Sequence, residues 1–452
     1  CSSDLFVPIL LSFVLCNETI KLDNIWYEPF DDELTIIKSF SQNKKVVIRS
    51  TIKYNSKEYE VTRIGEKAFR YADVEHVILP STVTFIGENA FQNCMKLTTI
   101  ELNEGLCAIS SNSFEHCEKL ASVEFPSSLF TIGQYAFLCC TSLKRLVIPS
   151  NLQTIPPFCF QGCSNLETVE LKNISKIEKF GFSSCSSLKS IVFNNDLNEI
   201  EESAFYDCSC LKSINFPSKL SIIGNSCFMY CPVVSVAFPP SLTNIGKQAF
   251  YSCASLKSVS LSNTQVEELS ESTFSNCFSL SSVVIGDKTT TIGESAFYHC
   301  NSLQNIHLGS SLKTIAKFAF YECANLDTLD VPESVETIED DAFSKANVKN
   351  LIINNCSAEF GNETFNYEGL SCFNVPTKCR QDYEKFRNVD EKKCQPEEDH
   401  KSKKVTIVIG CIIAIFVIVV IVIILVKFVF KRKRDFDSTE MSKDLLDTGL
   451  IN

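Results

Sequence analysis

The chain has 452 residues, of which 45% are apolar, and a formal net charge of −12 at pH 7. From Lys401 onward nine Lys and Arg stand against five Asp and Glu, so this end carries +4 and the preceding 400 residues carry −16. An acidic body repels polyanions. The composition therefore disfavours nucleic acid and heparin-like partners.

The amino end carries an apolar run, "LFVPILLSFVLC" at 5–16, which is too short to span a membrane and is followed by polar "NETIK". This pattern predicts a secretory signal peptide over 1–16, incomplete at its start because the chain opens on Cys1 rather than Met. A buried strand is the alternative interpretation. Cleavage and export would place the following residues outside the cell.

Thirteen units of 22 to 24 residues follow, each centred on a phenylalanine. A unit reads approximately P-x-S-L-x-x-I-G-x-x-A-F-x-x-C-x-x-L-x-x-I-x-L. The alternation in its closing Leu-x-x-Ile-x-Leu segment predicts a short strand, and the Ile-Gly turn leads into a short helical or irregular stretch. The phenylalanines are Phe69, Phe91, Phe114, Phe137, Phe160, Phe182, Phe205, Phe228, Phe250, Phe274, Phe297, Phe320 and Phe343.

A single unit of this length cannot bury its own apolar side, whereas stacked units form a continuous core beneath a parallel sheet. We therefore predict a leucine-rich repeat solenoid over 61–353, with about 13 repeats of about 23 residues. Residues 17–60 are rich in β-forming residues and should form an N-terminal β cap on the first coil.

A cysteine follows the phenylalanine by three residues in eleven of the units. A buried free cysteine behaves as a small hydrophobe with a weak donor. In-register coils would place neighbouring Cβ atoms about 4.8 Å apart, beyond the usual disulfide range of about 3.5–4.5 Å. We predict a ladder of reduced structural thiols; metal binding is the rival, although the five His residues do not cluster with them. The ladder comprises Cys94, Cys117, Cys140, Cys163, Cys185, Cys208, Cys231, Cys253, Cys277, Cys300 and Cys323.

Four further cysteines fall off this ladder, in a segment at 354–400 that we predict to form a C-terminal cap and a short stalk. An exported cap with four cysteines is a reasonable disulfide site, and two bridges allow three connectivities, which stay open. The four are Cys356, Cys372, Cys379 and Cys394.

Residues 405–426 are 22 consecutive positions without a charge. As a helix they would span about 33 Å, enough for a single transmembrane helix. The basic run "KRKR" at 431–434 favours a cytoplasmic tail over 427–452. The sequence thus predicts a single-pass, type I protein of the plasma membrane with its solenoid outside.

The unit "LPSTVTFIGENAFQNCMKLTTIEL" at 79–102 resembles the BspA-like leucine-rich repeats, which carry the same Pro-Ser, Ile-Gly, Ala-Phe and Cys-x-x-Leu landmarks. The resemblance covers about residues 46–390. It implies a surface protein used in adhesion to host matrix or to other cells, in mucosal bacteria and protists.

Curved solenoids commonly bind partners on the outer face of their sheet. Here that face offers mainly small hydroxyls and a few charges, without Trp or Tyr anchors, so a merely solvated surface is the alternative. The candidate ligand residues are Glu101, Glu124, Arg145, Glu170, Asn215, His307 and Asp330.

Two other surface features stand out. Four tyrosines directly follow the repeat phenylalanine and predict an interrupted stripe, for which filling space between coils is favoured over binding. They are Tyr206, Tyr251, Tyr298 and Tyr321. The Asn-x-Ser/Thr motifs at Asn173 and Asn362 are candidate glycosylation sites.

The sequence contains no Gly-x-Ser-x-Gly elbow, phosphate-cradling glycine loop or His-Glu-x-x-His motif. We therefore predict no enzymatic activity and no cofactor. The predicted function is adhesion to host, matrix or microbial surface proteins, with extracellular or cell-surface proteins or glycans as partners. The alternatives are a recognition receptor that signals through an associated membrane partner and a passive surface coat protein.

Overall fold

The computed structural model describes residues 19–39, 44–365 and 370–375, which all belong to one compact unit, Cys1–Glu391. Within these residues no helix has the length and apolar character needed to cross a membrane. The signal peptide, the membrane helix and the tail all fall outside the described residues. They therefore stay predictions.

Six strands form the amino-terminal part. They are β1 (Ile20–Leu22), β2 (Ile25–Phe30), β3 (Glu33–Ser39), β4 (Lys45–Val47), β5 (Thr51–Tyr54) and β6 (Lys57–Ile64). β1, β2 and β3 are antiparallel neighbours, and β5 and β6 form a second antiparallel pair. β3 and β6 pair in parallel, which joins both hairpins to the end of the solenoid.

Two of the three tight hairpins follow from their turn residues. Asp23 and Asn24 connect β1 to β2 with φ angles of 51° and 60°, and Asn55 and Ser56 connect β5 to β6 with 50° and 62°. Two consecutive residues with positive φ define the type I′ turn, which matches the twist of antiparallel strands and favours Asn and Asp.

The Leu-x-x-Ile-x-Leu segments form a row of parallel strands that we call the first sheet. The strands pair in register, as Leu146 does with Val169, in five separate groups of two or three. The central residue of each strand packs inward, while the residues on either side of it face outward. The strands are β4, His76–Ile78, Thr99–Glu101, Arg145–Ile148, Thr168–Leu171, Ser190–Val192, Ser213–Asn215, Ser235–Ala237, Ser258–Ser260, Ser282–Val284, Asn305–His307, Thr328–Val331, Asn350–Ile353 and Cys372–Asn374.

The Ile-Gly position forms a second row of parallel strands, which the sequence did not predict; we call it the second sheet, and its strands pair in three separate groups. The Ile is buried and the residue before it faces outward, and the next N–H bonds to the preceding coil, as Gly87 does to the Ile64 carbonyl at 2.7 Å. The strands are the end of β6, Phe85–Ile86, Ala108–Ile109, Thr131–Ile132, Thr154–Ile155, Lys176–Ile177, Glu199–Ile200, Ile222–Ile223, Asn244–Ile245, Glu268–Leu269, Thr291–Ile292, Thr314–Ile315, Thr337–Ile338 and Glu359–Phe360.

The Ala-Phe segment forms a third column, built from turns. The Phe N–H of one coil donates to the carbonyl of the small residue in the next, for example Phe205 to Cys227 at 2.9 Å. The rings of Phe69 through Phe365 stack in series, with centroids 4.9 to 5.6 Å apart. A large side chain before Phe would push adjacent coils apart, which explains the small residues there.

Two expectations need correction here. The described residues contain no helix, so the helical version of the Ala-Phe stretch is wrong: the stretch has residues with positive φ four positions apart, as at Ser203 (φ 54°) and Asp207 (φ 54°). A left-handed residue about once per helical turn stops helix propagation. The count of 13 repeats is also low, because about 15 turns are present. β3 stacks on β6 before the first Phe unit, and Phe365 stacks on Phe343 at 5.3 Å after the last.

Candidate functional site

Six of the seven candidate ligand residues lie on strands of the first sheet, and Glu124 follows the isolated bridge of Ser122 with Thr99. Of the seven, six are exposed and Glu170 is half-buried. They fall mainly towards the two ends of the face, and their charges are partly neutralised there. Glu101 Oε1 lies 2.8 Å from His76 Nε2, Arg145 Nη2 lies 3.9 Å from Glu170 Oε2, and Asp330 Oδ1 accepts a hydrogen bond from Asn354 Nδ2 at 2.8 Å.

Between these ends lies an uncharged band, which we call the neutral strip. It comprises the outward side chains of five consecutive coils, with hydroxyls dominating and Val192 59% exposed. Its members are Ser190, Val192, Ser213, Asn215, Ser235, Ala237, Ser258, Ser260, Ser282 and Val284.

One coil of this strip, the one that contains Val233, departs from the repeat pattern. Val233 follows Cys231 one position earlier than the consensus Leu, so the pattern places no outward pair there. The structure nevertheless forms the strand Ser235–Ala237, paired in register with Ser213–Asn215. The alternation of Ser235, Val236 and Ala237 is the signal that could have found it.

Four lysines lie in the column of residues that precede the outward strands, and we call them the lysine edge: Lys144, Lys189, Lys212 and Lys257. Lys189, Lys212 and Lys257 border the neutral strip, and Lys144 lies two coils before it. Their backbones belong to one column, because the Lys212 carbonyl accepts from Val234 at 3.0 Å and the Val234 carbonyl accepts from Lys257 at 3.1 Å. All four side chains are exposed. Lys189 pairs with Glu167 at 2.7 Å, whereas the other three form no ion pair within the described residues.

The eleven ladder cysteines are free and fully buried. Each Sγ donates to the carbonyl of the Phe in the preceding coil, over 2.9 to 3.4 Å. Burial raises the pKa of most of these thiols, to about 12 for Cys300. The thiols with a raised pKa are therefore neutral at physiological pH, and the ladder adds a column of S–H···O bonds between coils.

Other cysteines have different surroundings. Cys159 and Cys227 occupy the small position before Phe and are also buried, whereas Cys210 is exposed and Cys107 and Cys139 are half-buried. The described residues contain no group of three or more His, Cys, Asp or Glu side chains arranged to hold a metal ion.

The cysteines predicted for the C-terminal cap are only partly within the described residues. Cys356 and Cys372 are both disulfide-bonded. Cys379 and Cys394 lie outside the described residues.

Aromatic side chains cover part of the turn column. Tyr230 adds to the predicted tyrosine stripe and contacts Tyr206 and Tyr251 edge-on, at 5.6 and 6.1 Å, and is 43% exposed. Tyr298 stacks on Tyr321 at 5.1 Å. The tyrosines thus pack on one another between coils.

A second aromatic group was not predicted. Tyr135, Phe158 and Phe180 are half-buried, stack at 4.7 and 4.8 Å, and all have positive φ. Left-handed backbone favours Asn and Asp over bulky residues, so the ring stacking must offset the strain at these three positions.

The two candidate glycosylation sites differ in accessibility. Asn173 is half-buried, and its Nδ2 donates to the Ser150 carbonyl at 2.9 Å. Asn362 is exposed, and its backbone N–H donates to Asp340 Oδ1 at 2.6 Å. The bond at Asn173 engages the nitrogen to which a glycan would be attached, whereas the bond at Asn362 uses only the backbone N–H.

Parallel coils of about 23 residues around a stacked apolar core define a leucine-rich repeat solenoid. The family described as BspA type leucine rich repeat region matches residues 62–187, 175–298 and 267–390. These ranges span most of the chain, and the chain belongs to this family.

A solved leucine-rich repeat protein from Bacteroides ovatus is 29% identical, with 82% of this chain and 99% of that one covered and a TM-score of 0.71. A leucine rich cell surface protein from Faecalibacterium prausnitzii is 23% identical over 80% of this chain and 96% of its own, with a TM-score of 0.48. No curated protein matches the chain.

Proposed function

We propose that the chain is a single-pass cell-surface protein whose extracellular solenoid mediates adhesion, by binding proteins or glycans on host, matrix or microbial surfaces. The observation that carries the proposal is the outer face of the first sheet. Its exposed side chains repeat in register over consecutive coils, while the inward side chains fill the core. Such a surface makes many small contacts along an extended partner.

Membership of the BspA family supports a binding role over an enzymatic one. The apolar runs at 5–16 and 405–426 support export and anchoring. Anchored copies on one membrane would act together, because multivalent contacts raise avidity far above the affinity of one site.

The test is attachment of cells that display the full chain. We expect cells carrying it to attach to matrix protein, mucin or microbial cells better than cells without it, and antibodies against the solenoid to bind intact cells. Labelling that requires permeabilised cells would refute the surface placement, and attachment equal to that of empty cells on every target would refute adhesion.

Two variants locate the contact and a third separates adhesion from signalling. Ser213→Trp with Ser258→Trp obstructs the neutral strip and should abolish attachment, whereas Thr291→Trp with Thr314→Trp on the second sheet should not. Truncation after Arg434 should leave attachment unchanged. If truncated cells still bind but lose an intracellular response, the receptor alternative is favoured.

A further inference from the structure

The acidic body has a locally positive region on the first sheet. We consider the outward residues of the strands from Arg145–Ile148 to Ser282–Val284, together with the column that holds the lysine edge. They contain five cations, Arg145 and the four edge lysines, and two anions, Glu167 and Glu170. The sum, 5 − 2 = +3, stands against −16 for the first 400 residues.

Three of the four edge lysines form no ion pair within the described residues, unlike several lysines on the other side of the coils. Towards the second sheet, lysines pair with carboxylates of adjacent coils: Lys219 with Asp196 at 2.7 Å, Lys247 with Glu271 at 2.9 Å and Lys313 with Glu336 at 3.3 Å. Lys144, Lys212 and Lys257 form no such pair among the described residues. These three lysines therefore have no ion pair to break before an external anion binds, although Lys144 also interacts electrostatically with Glu167.

The neutral strip beside them is chemically suited to sugars. Hydroxyl and amide groups both donate and accept hydrogen bonds, and here they repeat once per coil at about the strand spacing of 4.8 Å. The exposed serines Ser190, Ser213, Ser235 and Ser258 lie in one column, adjacent to the lysines.

From this arrangement we infer that the neutral strip and the lysine edge bind an anionic polysaccharide. The sugar hydroxyls hydrogen-bond to the strip, and the carboxylate or sulfate groups pair with Lys144, Lys212 and Lys257. This inference names the partner class and the site of the adhesion proposed above, and it rests on that proposal.

The charge spacing favours a polysaccharide over other polyanions. Lys212 and Lys257 are two coils apart, or about 9.6 Å at the usual strand spacing, with uncharged Val234 between them. A ligand with acidic groups separated by neutral, hydroxyl-bearing units fits this spacing. Single-stranded nucleic acid carries a phosphate on every unit and is bound by stacking on aromatic side chains, which the strip lacks.

The test is binding of the purified full-length chain to immobilised hyaluronan and chondroitin sulfate, with dextran as the neutral polymer and poly-glutamate as the acidic peptide. We expect binding to at least one acidic polysaccharide, weakened at high salt because exposed charges are screened. We expect neither dextran nor poly-glutamate to bind comparably.

Two triple variants with the same change in net charge locate the site. Replacing the three free edge lysines by Gln should weaken polysaccharide binding by about 10- to 100-fold, since each exposed ion pair contributes up to about 1 kcal/mol. Replacing three paired lysines near the second sheet should leave it within about twofold. The variants are K144Q/K212Q/K257Q and K219Q/K247Q/K313Q, and equal thermal midpoints check that both fold.

The remaining outcomes separate this inference from the adhesion proposal. Equal losses in both variants, or equal binding of dextran or poly-glutamate, would overturn the polysaccharide site. Failure to bind any acidic polysaccharide, with attachment of cells to protein targets retained, would overturn it while leaving adhesion intact. Loss of attachment to every target would remove the adhesion proposal itself.

Discussion

The Phe–Cys column and the outer face of the first sheet are built on the same coils but differ in how they vary. Inside, Phe and Cys recur with the same ring stacking and the same S–H···O bond from coil to coil. Outside, the residue types change from paired charges to serine and back. The repeated residues are therefore those that the core requires, and the residues that vary from coil to coil are those on the surface.

Raising the pH should destabilise the Phe–Cys column, and this is the largest effect that we expect. Burial raises the pKa of buried thiols such as Cys185 and Cys323, and to about 12 for Cys300, from an ordinary value of 9.0. Above about pH 9 the unfolded chain releases protons that the folded chain keeps, so the free energy of unfolding falls, by up to about 1.4 kcal/mol per pH unit for each such thiol. Below that pH the stabilisation is fully present.

Urea unfolding followed by circular dichroism at pH 7, 9, 10 and 11 measures this fall. Cys300→Ala should reduce its steepness by about one proton. A midpoint that is the same at pH 7 and pH 10.5 would contradict the neutral thiol ladder.

Truncating one ring of the stack should have the next largest effect. Phe205 is fully buried between Phe182 and Phe228, at 5.5 and 5.3 Å, and Phe205→Ala should lower the free energy of unfolding by about 3–5 kcal/mol. Phe278, which is 47% exposed, is the matched control, and Phe278→Ala should cost less than about 1 kcal/mol. Chemical denaturation measures both, and similar costs would mean that the stack is not what holds the coils.

Two cysteines in the same coil, two residues apart, allow the contribution of the buried thiol to be measured. Cys208 is buried and donates to the Phe182 carbonyl at 3.3 Å, whereas Cys210 is exposed. Cys208→Ser should cost about 1–3 kcal/mol because a hydroxyl is costlier to bury than a thiol, and Cys210→Ser should be within about 0.5 kcal/mol of zero. If Cys208→Ser proves neutral in thermal and urea unfolding, the hydroxyl is fully satisfied by that carbonyl.

The smallest expected effect lies at the aromatic turn positions. Phe158→Asn removes the stacking on Tyr135 and Phe180 but suits the left-handed backbone (φ 58°). The two terms oppose each other, and stacking pairs contribute about 0.5–1.5 kcal/mol each, so we expect a net loss below about 1.5 kcal/mol. A loss close to that of Phe205→Ala would show that these rings belong to the core.

The sequence was sufficient to predict the parallel stack of coils. The Phe, Cys and Leu positions are buried in nearly every coil, so apolar residues recur there at a fixed spacing. The sequence did not predict the second sheet, since a two-residue strand such as Thr131–Ile132 is too short to show alternation. It also left a helical option for the Ala-Phe stretch, because left-handed residues there include Lys67, Gln248 and Phe318, types that do not signal positive φ.

The face was harder to predict than the core. The charged residues chosen from the sequence do lie on it, but pairing such as that of Glu101 with His76 can only be seen once the coils are aligned. The lysine edge was missed because its members are 23 to 45 residues apart and interrupted by Glu167 and Val234. Only the register of the backbone column brings them together.

The backbone bonds also have a mechanical consequence. Most coils are bonded to the next through strands of the first or second sheet and at the Ala-Phe turns, and the buried thiols add a further link. A force along the stacking direction is therefore shared among several hydrogen bonds, and these must break together before two coils separate. For the adhesion proposed above, this arrangement would resist detachment under flow until all the bonds between two coils break.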